Sequence, residues 1–96
     1  MFKALNPLLH SQLRLSVMSL LISVESAEFT YLLEQTGATK GNLSVQLSKL
    51  KEAGYITIDK SFKNNYPLTT CKITPAGFKA FEEYVAALKD YIDRGK

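Results

Sequence analysis

The chain of 96 residues has one cysteine, Cys71, so no internal disulfide framework can form. Such cysteine usage suits a reducing cytoplasm, which is the expected location. His10 is the only histidine, and no His/Cys cluster has metal-ligand spacing, so neither a metal site nor a cofactor is expected. No apolar run approaches the roughly 20 residues needed to cross a bilayer. The opening Met1-Phe-Lys-Ala-Leu-Asn-Pro7 is broken by polar residues and proline and does not read as a secretory leader. There is no nucleophile–base pairing, glycine-rich phosphate loop or paired acidic motif, so catalysis is not expected. What remains is a hydrophobic content of 46%, enough for one core. A domain of this size is close to the lower limit of comfortable stability alone, and burial against a second copy would help it.

Residues 28–54 are the most informative stretch. They read as a short helix, a tight turn at Gly37, and a second helix that stops at Gly54. Thr39 can cap the second helix through its side-chain oxygen. Leu43, Leu47 and Leu50 fall on one stripe, spaced four and three apart. The other faces carry Lys40, Asn42, Ser44, Gln46, Ser48 and Lys49, with almost no acid among them. A short helix, a turn and a polar, basic helix form a helix-turn-helix, whose second helix can enter a DNA major groove. The charge agrees. The net charge is +3, yet residues 38–74 hold six lysines (Lys40, Lys49, Lys51, Lys60, Lys63, Lys72) against Glu52 and Asp59. That segment carries +4 and the remainder −1, as a phosphate-binding face requires.

On either side of this stretch the chain reads as one domain, 1–96, without repeats or linkers. Asn6-Pro7 looks like a cap with proline at the first helical position, opening a helix over Leu8–Val24. Residues 26–28 should begin the next helix. After Gly54 the period changes: Tyr55–Lys60 alternates and is a predicted strand with Ile56 and Ile58 inward. Residues 62–67 are expected to form a turn-rich tip, and Thr69–Thr74 a second strand with Cys71 and Ile73 on one face. Thr74-Pro75 caps a last helix, about 75–93, in which Phe78, Phe81, Val85, Leu88 and Ile92 recur in a coiled-coil-like seam bordered by Tyr84 and Tyr91. The expected architecture is mainly α with a small β-hairpin wing at about 55–74: a winged helix-turn-helix with an added C-terminal dimerisation helix. The expected interface between two copies is Phe78, Phe81, Tyr84, Val85, Leu88 and Ile92.

The segments Leu13-Arg-Leu-Ser-Val-Met-Ser-Leu-Leu21, Phe29-Thr-Tyr-Leu32, Asn42–Tyr55 and Ile73-Thr-Pro-Ala-Gly-Phe78 together resemble the small, single-domain winged-helix transcriptional regulators of prokaryotes, the MarR-like and ArsR-like group. The match covers roughly residues 8–90. The resemblance implies a dimeric repressor or activator on pseudo-palindromic double-stranded DNA, often released by a signal. With no separate sensor domain, a small-molecule effector would have to sit at the dimer interface.

On a helical projection Asn42, Val45 and Gln46, flanked by Ser44 and Lys49, are the candidates for base contacts. Asn and Gln can pair with adenine and Val45 can meet a thymine methyl. Lys40, Lys51, Lys60, Lys63 and Lys72, with Lys49, are cast as phosphate partners. The wing tip, Asn64, Asn65 and Tyr66, lacks the arginine usual in related wings, which leaves a plain turn as an equal reading. Cys71 reads as a small core hydrophobe rather than a redox sensor. The competing function is a winged helix used as a protein-interaction module without specific DNA binding, since the fold serves both.

Overall fold

Leu43, Leu47 and Leu50 are almost wholly buried, and their stripe seats one helix on the rest of the chain. The computed structural model describes residues 1–95, so Lys96 lies outside the described residues. Its elements are α1 (Gln12–Val24), β1 (Ser26–Glu28), α2 (Phe29–Thr36), α3 (Lys40–Glu52), β2 (Ile56–Lys63), β3 (Tyr66–Ile73) and α4 (Pro75–Arg94). The strands form one antiparallel sheet in the order β1-β3-β2. Leu9, Val17, Met18, Leu21, Leu32, Leu43, Leu50, Ile56 and Cys71 make the fully buried core between helices and sheet. Each buried side chain of leucine size contributes about 1.5–3 kcal/mol.

The helix ends follow their local chemistry. Gly37 takes the left-handed conformation that stops α2, and its N–H donates to the Leu33 carbonyl. Thr39 accepts the Asn42 N–H at 3.2 Å and starts α3. At the other end Gly54 has φ +78°, its N–H donates to the Lys51 carbonyl, and the Tyr55 N–H reaches back to that of Leu50. Those two bonds are the Schellman pattern that satisfies terminal carbonyls. Thr74 caps α4 by accepting the Gly77 N–H, while its own hydroxyl donates to the Gly54 carbonyl at 2.6 Å. One threonine thus ties the end of α3 to the start of α4.

Four expectations need correction. The first helix begins at Gln12, not Leu8, because the Asn6 side chain accepts the Leu8 N–H and its carbonyl accepts from Leu9 and His10, making a closed turn. Ser11 is the cap instead. Residues 26–28 are a strand rather than the start of a helix: Glu25, at φ +66°, breaks α1, and Ser26, Ala27 and Glu28 pair with Lys72, Cys71 and Thr70. Three residues are too few for a periodic signal. The hairpin strands are also longer than expected, for only Asn64 and Asn65 turn. Both have positive φ (52° and 66°), a two-residue loop of the type that matches strand twist and that asparagine tolerates. Lastly, Tyr84 is only 4% exposed. It belongs to the buried face of α4 with Gly77, Ala80 and Ala87 and hydrogen-bonds His10 Nδ1 at 2.9 Å, so it packs inward and is not available to a partner copy.

Residues 1–10 run beside α4. Tyr91 Oη donates to the Lys3 carbonyl, Phe2 stacks on the Tyr91 ring at 4.6 Å, and the Arg94 guanidinium lies over Phe2.

Candidate nucleic-acid interface

With the leucine stripe inward, α3 turns Gly41, Asn42, Ser44, Val45, Ser48 and Lys49 to solvent. Val45 is 52% exposed, an apolar side chain at the centre of this polar face. Gly41 has nothing within 4 Å of where a Cβ would stand, so the fold itself does not require glycine there. Gln46 is half-buried and differs from its neighbours. Its Oε1 accepts from the Arg14 guanidinium of α1, and its Nε2 donates to Asn42 Oδ1 at 3.0 Å. Arg14 also donates through Nε to the Leu8 carbonyl. Sequence reasoning missed Arg14 as a member of this face. Its one signal was a lone arginine in the otherwise polar-uncharged and apolar run 11–24.

The sheet register divides the wing into two faces. Ile56, Ile58, Lys60 and Phe62 share one face with their partners Ile73, Cys71, Thr69 and Pro67. At its base this face is core. Further out it meets α3, where Lys60, Thr69 and Ile58 line a cleft of about 250 Å³ with Phe29, Ser44, Leu47 and Ser48. Lys60 is thus brought beside the exposed serines of α3. Phe62, 78% exposed on the same face, is a second residue that the sequence reading passed over, taken there as part of a turn. Lys63 and Tyr66 pair across the last rung before Asn64-Asn65 and lie on the other face. Tyr66 is 75% exposed.

Among the lysines, Lys40, Lys49, Lys51, Lys60 and Lys63 are exposed on α3 or the outer wing. Lys72 is placed elsewhere. It pairs with Thr57 and Ser26 on the outer sheet face and lines a groove with Ile22, Glu25, Phe78, Lys79 and Glu82. With two acids on that groove and the whole sheet between it and α3, Lys72 does not join the basic face. The alternation that put Cys71 inward necessarily put Lys72 outward.

Cys71 is fully buried on the central strand, between Ala27 and Ile58. Burial pushes its thiol up to about 11, so it stays protonated and unreactive at neutral pH. Among the described residues no helix is long and apolar enough to cross a membrane.

On α4, the expected seam is split. Phe81 and Leu88 pack partly against the chain's own core. Phe78 (45%), Val85 (45%) and Ile92 (58%) stand out from it, seven residues apart.

A family model described as a winged helix DNA-binding domain matches residues 13–92. The chain is similar to an uncharacterised protein of Methanocaldococcus jannaschii, 38% identical over 76 residues, covering 79% of this chain and 83% of that one. The solved structure of a transcriptional regulator homologue from Pyrococcus horikoshii OT3 superposes with a TM-score of 0.84 at 27% identity, covering 90% and 85% of the two chains. A MarR-family transcriptional regulator from Silicibacter pomeroyi shares the fold, with a TM-score of 0.69 at 17% identity over 91% of this chain and 57% of that one. The resemblance seen in the sequence to small winged-helix regulators is borne out.

Proposed function

This chain belongs to the winged helix DNA-binding domain family, and from that premise we propose that it is a sequence-specific transcriptional regulator that binds pseudo-palindromic double-stranded DNA as a homodimer. The observation that carries the reading is α3 itself. It is a capped helix whose exposed face offers Asn42, Ser44, Val45, Ser48 and Lys49, with its one acid, Glu52, held back to the last residue, and with lysine-bearing wing strands beside it. In this assignment α3 lies in the major groove, where polar side chains read base edges and the Val45 methyls meet a thymine methyl. Lys40, Lys49, Lys51, Lys60 and Lys63 neutralise phosphates and fix the register without reading sequence. Gly41 leaves room for the sugar-phosphate backbone to come close. The wing, without an arginine, lays Phe62, Tyr66 and the Asn64-Asn65 loop against the flanking backbone. The exposed stripe of α4 joins the two copies, and an effector, if the regulator takes one, binds where the copies meet. The chain acts by binding rather than by catalysis, in the cytoplasm.

Fluorescence anisotropy with mixed-sequence duplex DNA, repeated over several salt concentrations, tests this. Five neutralised phosphates give a slope of log K against log salt of about −4 to −5. No binding at low salt, or binding indifferent to salt, overturns the DNA assignment in favour of a protein-interaction module that uses the exposed wing aromatics.

A further inference from the structure

Arg14, Gln46 and Asn42 form a directed chain of side-chain hydrogen bonds from α1 to the exposed face of α3. Its direction is not arbitrary. A guanidinium carries five N–H donors and no acceptor, so whatever faces it must present oxygen. Gln46 therefore turns Oε1 to Arg14, and the amide's Nε2 is left to point the other way, donating to Asn42 Oδ1. Asn42 in turn has its oxygen engaged along the helix, while its Nδ2, with two N–H groups, meets no partner among the described residues. Asn42 is exposed and Gln46 half-buried, so the relay runs from an anchored interior end to an open one. Its interior end is held by the bond from Arg14 Nε to the Leu8 carbonyl.

We propose that Arg14 is a positioning residue that sets the donor polarity of the base-reading face, so that the first turns of α3 read guanine in preference to adenine. The proposal rests on the DNA-binding reading above. A paired contact to adenine takes one donor and one acceptor from the same amide, since N7 accepts and N6 donates. Guanine offers two acceptors, N7 and O6. The relay turns the oxygens of both amides inward or along the helix and leaves N–H groups of Asn42, with the second N–H of Gln46, for the groove. Donors alone match guanine. Without Arg14 either amide can turn over, and the face loses its polarity.

Selection from a randomised duplex pool, with the full chain and its variants, decides it. The wild type is expected to enrich guanine about tenfold over adenine at one base pair of each half-site. Arg14→Ala, with folding checked by circular dichroism, abolishes that preference there and keeps the preferences at other positions. Arg14→Lys, which still donates, restores it. Gln46→Glu still accepts from Arg14 but has no donor for Asn42 Oδ1. Asn42 then turns its amide around, and the preference moves to a base that presents a donor, cytosine or adenine. Gln46→Glu remains decisive if Arg14→Ala does not fold. Adenine at that position in the wild type overturns the proposal, as does an unchanged preference in Arg14→Ala and Gln46→Glu. A uniform loss of affinity with the same base chosen marks Arg14 as merely structural and also overturns it. A wild type that enriches nothing and binds no duplex removes the DNA-binding reading, and the proposal with it; enrichment without the guanine leaves that reading standing.

Discussion

Cys71 shows how much one buried atom can impose on stability. Its thiol is pushed from an ordinary 9.0 to about 11 because the thiolate would be formed among Ala27, Ile58 and the core. Between those two values the folded chain holds a proton that the unfolded chain has released. Stability attributable to this group is therefore complete below about pH 9 and is lost as pH rises toward 11. The expected loss is on the order of 1 kcal/mol per pH unit in that window. Urea unfolding of the wild type and of Cys71→Ala at about pH 8 and about pH 10 measures it. The variant should start less stable, by about 1 kcal/mol for the lost contacts, and show a flatter decline. Parallel declines would mean that the thiol is not what the alkaline limb reports. The polarity of Gln46 is a different kind of residue-scale fact. The sequence places the glutamine on the flank of α3, but its partner, Arg14, comes from another helix, and no spacing rule reaches across elements.

The start of α4 comes very close to the chain entering β2 at Gly77. A Cβ built there would stand 2.1 Å from the Tyr55 carbonyl oxygen, so the first turn of α4 can lie on the backbone leading into β2 only because nothing projects from residue 77. The Thr74 N–H donates to that same carbonyl and Thr74 Oγ1 to the Gly54 carbonyl, so the contact is held by bonds on one side and by absence of bulk on the other. Gly77→Ala should cost about 2–4 kcal/mol, comparable to overpacking a core. Chemical denaturation would show it as a lower midpoint, and an unchanged midpoint would mean the two elements can slide apart freely. Elements with strong local signals were legible in advance: Gly37, Thr39 and Gly54 around α3, the alternation of Ile56 and Ile58, and Thr74-Pro75 opening α4. Those that depend on distant partners were not. β1 exists because β3 has an open edge to receive it. The wing strands reach to Lys63 and Tyr66 because two asparagines accept positive φ, which lets the turn shrink to two residues. Asn6-Pro7 carries a cap signature, yet the asparagine spends it on a closed turn, and α1 waits for Ser11.

At the scale of the whole chain, the radius of gyration is 14.6 Å and the extents are 54 × 25 × 21 Å, against about 13 Å for a rounded domain of this length. The wing and α4 carry several of its exposed apolar groups: Phe62 and Tyr66 on the wing, Phe78, Val85 and Ile92 on α4. The last three recur every seven residues, the repeat with which helices seat against one another. Ile92→Glu and Val85→Glu together should therefore convert the proposed dimer to a monomer with little loss of helix, since neither side chain is part of the core. Sedimentation equilibrium at micromolar concentration checks this, and a wild type already monomeric there rejects the interface.

The three rungs that join Ser26–Glu28 to Thr70–Lys72 have a mechanical meaning as well. The chain they enclose runs through α2 and α3 and comes back as β2, which pairs with the other edge of the same β3 residues, so the enclosed loop is fastened from both sides of one strand. The entropy of closing so long a loop grows only slowly with the length enclosed. Prising Ser26–Glu28 off β3 would therefore open only one side of that fastening, and the eight-rung pairing of β2 with β3 would still hold the wing and the end of α3 in place.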